Sequence, residues 1–301
     1  MAVIIVSWNG LEHTLGCLES LSNMRWERLT RVVVDNGSTD GTAEAVQESF
    51  PDTIILQAGG NVGFSPGNNL GMRYALEIGA DYVFILNNDT ELDPDLVSML
   101  VAEAERRPDA GALCPLIYYE DPRDLIWYAG AEYAPQKGYQ GRMTGYRERD
   151  VGQYAGVREV GALVGCAALI PRRVLEEVGL FDDSLFIQIE DFELSLRMRR
   201  AGYRIFCVSA ARMWHKVSAA RGGENSPIVT YFSVRNTLVV NARHAPLRGP
   251  AALRRNLVTL GAHVAHARKG AHPLKNLLAV LEGWNDYRHD RLGPRHGLAQ
   301  S

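Results

Sequence analysis

Short β-branched runs alternate with helix-like stretches over the first hundred residues of the chain. The runs predict strands at residues 3–6, 31–34, 53–56 and 82–86. The stretches between them predict helices near residues 12–22, 40–49 and 67–79, and another helix beginning near residue 94. Because strands that alternate with helices form parallel sheets, we expect an α/β fold in which helices flank a mostly parallel central sheet.

The pattern changes after residue 117. Residues 118–157 are rich in Gly, Tyr and Arg and predict long loops with short antiparallel strands. Regular elements are predicted again at residues 160–170, 172–178, 190–201 and 204–208, the third being a charged helix that Gly202 ends. Beyond residue 228, two helical patterns predict a helical appendage rather than a second sheet.

The net charge of −3 conceals two regions of opposite sign. Residues 228–301 contain 11 Lys and Arg against 3 Asp and Glu, a net charge of +8, which leaves −11 for residues 1–227. A basic helical segment favours contact with anionic lipid or phosphate, although a solvated helical face packed on the acidic body explains the same composition. The acidic body argues against nucleic-acid binding.

No targeting or membrane-spanning segment is predicted. Met1 leads directly into an apolar strand pattern, without the basic start of a signal peptide. The longest apolar stretch, at residues 160–171, is shorter than the roughly 20 residues that a spanning helix requires. The four cysteines have no metal-ligand spacing, so we expect reduced, mostly buried thiols. We therefore expect a cytoplasmic protein.

Polar clusters follow two of the predicted strands, at Asp35-Asn36-Gly37-Ser38 and Asn87-Asn88-Asp89. In open α/β sheets, ligands bind beyond the carboxyl ends of the strands. The Asp35 carboxylate could accept a hydrogen bond from a pyrimidine N–H, and Asp89 suits a divalent cation on a diphosphate, with Asn87 or Asn88 reaching the ribose. The other interpretation is local, because these residue types are also favoured in turns and helix caps.

Two later positions are candidates for chemistry. Glu190-Asp191 begins the charged helix, where carboxylates are stabilised, so helix capping explains the pair as well as a general base at Asp191 does. The helix N-terminus leads us to expect a lowered pKa at Asp191. His215 follows a predicted strand, where a lone histidine is either structural or a metal ligand.

Three motifs, in their order and spacing, resemble the family-2 glycosyltransferases of the GT-A fold: Asp35-Asn36-Gly37-Ser38-Thr39-Asp40-Gly41-Thr42, Asn87-Asn88-Asp89 and Glu190-Asp191. Further segments look like the rhamnosyltransferase-like branch, at residues 6–9, 61–71, 178–182, 194–203 and 231–236. The resemblance covers residues 3 to about 245. It implies a Rossmann-like GT-A fold and transfer of a sugar, with inversion, from a nucleotide-sugar donor to a hydroxyl acceptor.

The resemblance also implies roles for single residues. Asp35 would recognise the base, Asp191 would be the base of the ED motif with Glu190 beside it, and Asp89 and His215 would hold Mn²⁺ or Mg²⁺. The other donor-binding residues implied by the matched segments are Ser7, Asn9, Asn36, Gly37, Ser38, Asn61, Gly63, Phe64, Asn68, Asn87 and Asn88. Family members often carry an acid at the first or second position of the metal motif; here both are asparagine, so Asp89 carries most of the metal binding.

We divide the chain into a catalytic domain at residues 1–227 and a basic helical extension at 228–301. Within the domain, residues 1–117 would bind the donor and 118–227 the acceptor. The donor would be dTDP-rhamnose or a UDP-hexose, and the acceptor part of a cell-surface polysaccharide or a lipid-linked glycan. The basic extension would allow peripheral contact with the inner face of the cell membrane.

Two other functions fit parts of the same pattern. A non-catalytic nucleotide- or carbohydrate-binding module would keep the fold without turnover, but the joint presence of Asp35, Asp89, Asp191 and His215 argues against it. A nucleotidyltransferase would share the strand-end carboxylates and the metal. It would also need a phosphate-binding loop near the N-terminus, which residues 7–10 do not provide.

Overall fold

A computed structural model describes residues 1–134, 141–217 and 226–295 of the chain. The first part contains β1 (Ala2–Ser7), α1 (Leu11–Ser22), β2 (Thr30–Asp35), α2 (Thr42–Ser49), β3 (Ile54–Gln57), α3 (Phe64–Glu77), β4 (Tyr82–Asn87), β5 (Thr90–Leu92), α4 (Leu96–Arg106) and β6 (Ala110–Tyr119). The central part contains β7 (Ile126–Tyr128), β8 (Ala131–Glu132), β9 (Arg142–Met143), β10 (Val157–Val160), β11 (Ala167–Pro171), α5 (Arg172–Val178), a 3₁₀ helix (Asp183–Leu185), α6 (Glu190–Arg200) and β12 (Arg204–His215). The last part contains α7 (Pro227–His244), α8 (Gly249–Ala267) and α9 (Pro273–Arg288).

One central sheet carries the fold, and the expected α/β class is confirmed. Its strands run in the order β10-β12-β6-β11-β4-β1-β2-β3, with β5 paired to β12 and β7 to β6. Strands β4, β1, β2 and β3 are mutually parallel, and β6 is parallel to β12. Strand β11 lies antiparallel between β4 and β6. The parallel half of the sheet therefore comes from β1 to β4, and the mixed half from β5 and the strands that follow it.

The register of the parallel strands aligns their polar ends. Ser7 at the end of β1 lies opposite Asp35 at the end of β2, and Val6 lies opposite Asn87 at the end of β4. The strands themselves are apolar and almost completely buried, because helices cover a parallel sheet on both faces. The two polar clusters consequently meet at one edge of the sheet.

Three predictions of secondary structure were wrong, two in the bounds or number of strands and one in the number of helices. The strand predicted at residues 204–208 continues past a bulge between Val208 and Arg212, so His215 is its last residue rather than a residue after it. The element predicted at residues 160–170 is two strands, β10 and β11, joined by a loop. Beyond residue 226 the described chain forms three helices rather than two. Bulges and short loops interrupt an apolar pattern without a strong sequence signal.

Helix α7 packs closely against the rest of the protein. Its buried residues include polar ones, among them Arg235, Asn236 and Asn241. Helix α9 approaches α7 closely at Gly283, where an added Cβ would lie 2.7 Å from the carbonyl oxygen of Tyr231. No helix in the described part of the chain is long and apolar enough to cross a membrane. The four cysteines are free and buried, as expected.

Helix α3 lies directly on the parallel strands through a glycine, which gives a test of the packing. A Cβ at Gly71 would lie 2.3 Å from Cγ2 of the fully buried Ile4. We expect Gly71→Ala to lower the free energy of unfolding by about 1–3 kcal/mol, since buried overpacking forces neighbouring groups to move. Urea denaturation measures the change.

The matched control is Gly16 in α1, where, apart from the adjoining residues and the nearby backbone of the helix, no atom of the described residues lies within 4 Å of an added Cβ. Gly16→Ala should raise the free energy of unfolding by up to about 1 kcal/mol, because alanine favours the helix. A stabilising Gly71→Ala would show that α3 does not depend on this close approach.

Candidate active site

The loop after β2 is joined to the loop after β1 by short hydrogen bonds. Asp35 is buried, and its Oδ1 accepts a hydrogen bond of 3.0 Å from the Ser38 backbone N–H. The Asn9 backbone N–H donates to the Ser38 hydroxyl oxygen (3.0 Å), and the Asn9 side-chain oxygen accepts from the Thr39 N–H (2.8 Å). The structure thus brings together Asn9, Asp35 and Ser38, three residues assigned to the donor.

Asn36 connects this loop to the one before α3. Its Nδ2 lies 3.2 Å from the Asn61 side-chain oxygen and 3.3 Å from the carbonyl oxygen of Gly63, and its Oδ1 accepts from the Val62 N–H (3.0 Å). Gly37 adopts a φ of +80°, and an added Cβ there would lie 2.6 Å from the backbone of the facing loop. In this structure the Asn36 amide is bound to protein groups and holds the two loops together.

The start of α3 reaches towards the start of α6. Asn68 is buried and donates to the Phe64 carbonyl oxygen (2.9 Å), which fixes the first turn of α3. An added Cβ at Gly165 would lie 3.3 Å from the Phe64 ring and 3.7 Å from Oδ2 of Asp191. Phe64 and Asp191 therefore line the same small space beside Gly165, although they are far apart in sequence.

The two asparagines before Asp89 make different contacts. The Asn87 backbone N–H donates to the Cys166 carbonyl oxygen (2.8 Å) and continues the pairing with the β11 side of the sheet. The Asn88 Nδ2 lies 3.1 Å from the Thr14 hydroxyl and 3.5 Å from the Ser7 hydroxyl. Ser7 is thus held inside the protein by Asn88 and by Thr14.

Asp89 and His215 meet at the pairing of β5 with β12. Both side chains are buried, and Nε2 of His215 lies 3.1 Å from Oδ1 of Asp89. The Lys216 backbone N–H donates to the Asp89 carbonyl oxygen (2.9 Å), which fixes the position of the pair. The Trp127 ring meets the imidazole edge to face, with 4.6 Å between ring centroids.

This pair fits a divalent cation. Two neighbouring ligands of an octahedral cation, each about 2.1 Å from it, lie about 3 Å apart, which matches the separation of Oδ1 and Nε2. A carboxylate oxygen and an imidazole nitrogen are both suitable ligands for Mn²⁺. No group of three or more His, Cys, Asp or Glu side chains suited to a metal occurs in the described residues. Oxygens of a bound substrate or water would have to complete the coordination.

Asp191 lies in the first turn of α6 and is fixed through both carboxylate oxygens. Its Oδ2 accepts from the Gly165 N–H (3.0 Å) and its Oδ1 from the Phe192 N–H (2.8 Å). Burial raises the pKa of Asp191, and the two N–H bonds oppose that rise only in part. The expected lowering of this pKa was wrong, because removal from water outweighs the helix N-terminus. Glu190 beside it is buried.

The loop that leads into α6 has an uncommon backbone conformation. Three residues of the loop have positive φ values, a region that residues other than glycine rarely adopt: +64° at Phe186, +72° at Gln188 and +73° at Ile189. Asn236 of α7 donates from Nδ2 to the carbonyl oxygens of residues 185, 187 and 188, each at 2.8 Å. Arg235 adds a hydrogen bond of 3.1 Å to the first of these carbonyls. Helix α7 therefore holds the loop that places Asp191.

Three contributors to the site were missed by the sequence analysis: Gly165, Trp127 and Asn236. A glycine within the apolar stretch 160–171 was a signal for close backbone approach. Asn236 lay in a segment that carried the resemblance, but nothing in the sequence located its partner loop. Trp127 had no signal, since only the fold places it against His215.

Comparisons with known proteins identify the family of the chain. Residues 2–179 match the family model described as Glycosyl transferase family 2. An N-acetylglucosaminyl-diphospho-decaprenol L-rhamnosyltransferase of Mycobacterium tuberculosis is 28% identical over 86% of this chain and 92% of that protein. A dTDP-rhamnosyl transferase, RfbF of Shigella flexneri, is 24% identical over 81% of each chain.

Solved structures show the same fold. The mannosyltransferase PcManGT of Pyrobaculum calidifontis, in complex with GDP-Man and Mn²⁺, has a TM-score of 0.58 at 21% identity, over 96% of this chain and 82% of that chain. GalNAc-T7 with UDP, GalNAc and Mn²⁺ has a TM-score of 0.61 at 18% identity, over 79% of this chain. The match spans about half of GalNAc-T7, 47% of that chain. The expected GT-A fold is confirmed.

The support from α7 can be tested by stability. Asn236→Ala removes a hydrogen-bond donor from three carbonyl oxygens of the loop, so we expect the free energy of unfolding to fall by about 1–3 kcal/mol. Asn285→Ala, at an exposed position of α9, should change it by no more than about 0.5 kcal/mol. Urea denaturation compares them. Equal stability of the two variants would show that the Asn236 hydrogen bonds do not stabilise the loop.

Proposed function

This chain belongs to glycosyl transferase family 2 and is a glycosyltransferase that uses a nucleotide-sugar donor, and we propose that Asp191 is its general base. The observation that carries this role is the fixed position of the Asp191 carboxylate. Backbone N–H groups of Gly165 and Phe192 hold both of its oxygens, and it lies beside Phe64 near the polar edge of the sheet. A base must be positioned before its pKa matters.

Asp191 would remove the proton of the acceptor hydroxyl as that oxygen attacks the anomeric carbon. The bond from this carbon to the diphosphate oxygen breaks in the same displacement, so the anomeric centre is inverted and no covalent enzyme intermediate forms. The raised pKa of Asp191 supports the role, because a carboxylate with a higher pKa is a stronger base. Glu190, adjacent in the chain, is the alternative base.

The donor would lie along the edge formed by β1, β2 and β4. We assign the nucleobase to Asp35, beside which the hydrogen bonds between the two loops place Ser38 and Asn9, and the ribose to Asn87 or Asn88. Asp89 and His215 would hold Mn²⁺ or Mg²⁺, which supplies positive charge for the diphosphate leaving group. A dTDP-rhamnose donor is favoured over a UDP-hexose by the named dTDP-rhamnosyl transferase relative.

The acceptor that we propose is a lipid-linked glycan. The relative from Mycobacterium tuberculosis is named for a decaprenol-linked diphospho-sugar. Residues 1–117 would bind the donor and residues 118–227 the acceptor, while the basic extension at 228–301 would bring the enzyme to an anionic membrane surface. Residues 296–301 of this extension lie outside the described residues. Its first helix, α7, also supports the loop before Asp191.

Two conservative variants separate the candidate bases. Asp191→Asn keeps the shape but removes the base, so we expect single-turnover rates to fall by roughly 10²- to 10⁴-fold with donor affinity nearly unchanged. Glu190→Gln should retain most of the rate. Rapid-quench kinetics and calorimetric donor titrations measure the two quantities. An inactive Glu190→Gln with a near-normal Asp191→Asn would transfer the role to Glu190, and full activity in both would refute the mechanism.

The pH profile gives an independent check. Since burial raises the pKa of Asp191, the base becomes protonated at a higher pH than an ordinary aspartate, whose pKa is about 3.9. The rate should therefore fall with decreasing pH through a limb that lies above that value. Residual activity of Asp191→Asn should lack this limb. If the limb is unchanged in the variant, another group causes it.

Metal binding and nucleotide binding should be coupled. We expect dTDP or UDP to bind more tightly with Mn²⁺ or Mg²⁺ than in EDTA, because Asp89, His215 and the phosphates would share the cation. Asp89→Asn should abolish this difference. Glu91→Gln is the matched control, since Glu91 is paired with Arg123 at the surface and should leave the coupling intact. Equal binding in EDTA by the unchanged protein would refute the metal site.

A further inference from the structure

Helices α8 and α9 expose leucines along the faces turned away from the protein. Five of them are between 57% and 79% exposed: Leu253 and Leu257 in α8, and Leu274, Leu278 and Leu281 in α9. Leucines at spacings of three and four residues share one side of a helix. Each of these two helices therefore presents a continuous apolar strip to the surroundings.

The inner faces of the same helices are partly polar. Arg255, Thr259 and His263 of α8 are buried, as are Asn276 and Asp286 of α9. Arg255 donates to the carbonyl oxygen of residue 245, and Asp286 accepts a hydrogen bond of 2.6 Å from the hydroxyl of residue 231. These contacts fix the orientation of both helices, so the leucines cannot turn inwards without breaking them.

Charge around the leucines is mostly positive, and the one exposed acid next to them in the described part of these helices, Glu282 after Leu281, is paired with Arg295. Residues 246–281 contain six basic and no acidic residues. Five of the basic residues are exposed: Arg248, Arg254, Arg268, Lys269 and Lys275. Three of them, Arg248, Arg254 and Lys275, directly follow exposed leucines in the sequence. A surface that combines leucines with cations is complementary to anionic lipid, whose headgroups attract the cations while its acyl region accepts the leucines.

We propose that the leucine strips of α8 and α9 insert into the interfacial layer of an anionic bilayer. The contact that we proposed for the basic extension is thereby a hydrophobic insertion as well as an electrostatic attraction. The biological role of this insertion rests on the proposed function, because it would bring the enzyme to a lipid-linked acceptor. The insertion itself is inferred from the exposure of the leucines. Neither helix is long and apolar enough to span the membrane, so both would lie on it.

A protein partner is a weaker explanation of this surface. Interfaces between proteins are depleted of lysine, whereas here Lys269 and Lys275 accompany the leucines. A second copy of the chain would place mostly like charges opposite each other, because residues 246–281 carry no acid and the next residue, Glu282, is already paired with Arg295. Exposed apolar strips with cationic neighbours are typical of helices that bind membrane surfaces.

The test uses the full chain with sucrose-loaded vesicles of phosphatidylcholine and phosphatidylglycerol. Leu274→Gln/Leu278→Gln should sediment with them about ten- to hundredfold less strongly, since burying each leucine favours partitioning by roughly tenfold. Ile78→Gln, at an exposed apolar position that ends α3, is the matched control and should bind like the unchanged protein. Circular dichroism and thermal unfolding confirm that all variants are folded.

Vesicle binding at high salt distinguishes hydrophobic insertion from electrostatic attraction. In 1 M NaCl the screening length falls to about 3 Å, so a purely electrostatic contact would be lost. We expect part of the binding to persist in this salt for the unchanged protein and to disappear in the double variant. Complete loss in the unchanged protein, or undiminished binding by the double variant at any salt, would overturn the proposal.

Two further measurements complete the design. If the unchanged protein forms a dimer in light scattering that the leucine variant abolishes, and neither sediments with vesicles, the surface is an interface between copies and the proposal is wrong. Nucleotide titrations on the same variants keep the two proposals apart. Normal dTDP or UDP binding by a variant that does not sediment supports membrane insertion, while sedimentation by a protein without transferase activity would count against the proposed function alone.

Discussion

The parallel register of β1 with β2 and β4 is the constraint on which the site depends. It places Ser7 opposite Asp35 and aligns Val6 with Asn87, so the polar residues that follow three buried strands meet at one edge. A slip of one residue would turn the side chains of a strand to the opposite face and disturb the packing on both sides of the sheet, so close packing of the apolar side chains maintains the register. The apolar residues within the strands thus determine where the polar residues lie.

The second half of the chain joins this sheet through two strands. β11 pairs with β4 and is preceded by the loop that contains Gly165, whose N–H fixes Asp191. β12 pairs with β5, which places His215 opposite Thr90 and beside Asp89. Both candidate chemical groups of the later chain are therefore positioned by strands that add to the sheet formed first in the sequence.

What the sequence could predict follows from the range of each interaction. Strand ends and helix starts have local signals, so the clusters at Asp35, Asn87 and Glu190 could be found from spacing alone. The contact between Asp89 and His215 joins residues 126 positions apart, and only sheet pairing determines it. The pKa of Asp191 could not be obtained from its place in a helix, because its direction depends on burial by the surrounding fold.

The exposure of the C-terminal leucines could not be predicted from the sequence either. Their spacing predicted a helix, but Leu277 packs inwards while Leu274, Leu278 and Leu281 are exposed. A helix with apolar residues on several sides has no single inner face that the sequence can specify. Buried polar groups such as Asn276 occupy the inner side of α9 and thereby determine which leucines face outwards.

The first helix of the C-terminal extension contacts the loop before Asp191, whereas the other two helices carry the exposed leucines. The loop before α6 holds three residues at positive φ, a conformation that persists only where neighbouring contacts enforce it. Asn236 provides those contacts from α7, whereas the exposed leucines lie in α8 and α9. We therefore propose a functional boundary after residue 244, at the end of α7, within the extension that the composition places at residues 228–301. Helix α7 belongs with the chemistry of the site, and α8 and α9 belong with the surface that we propose for lipid.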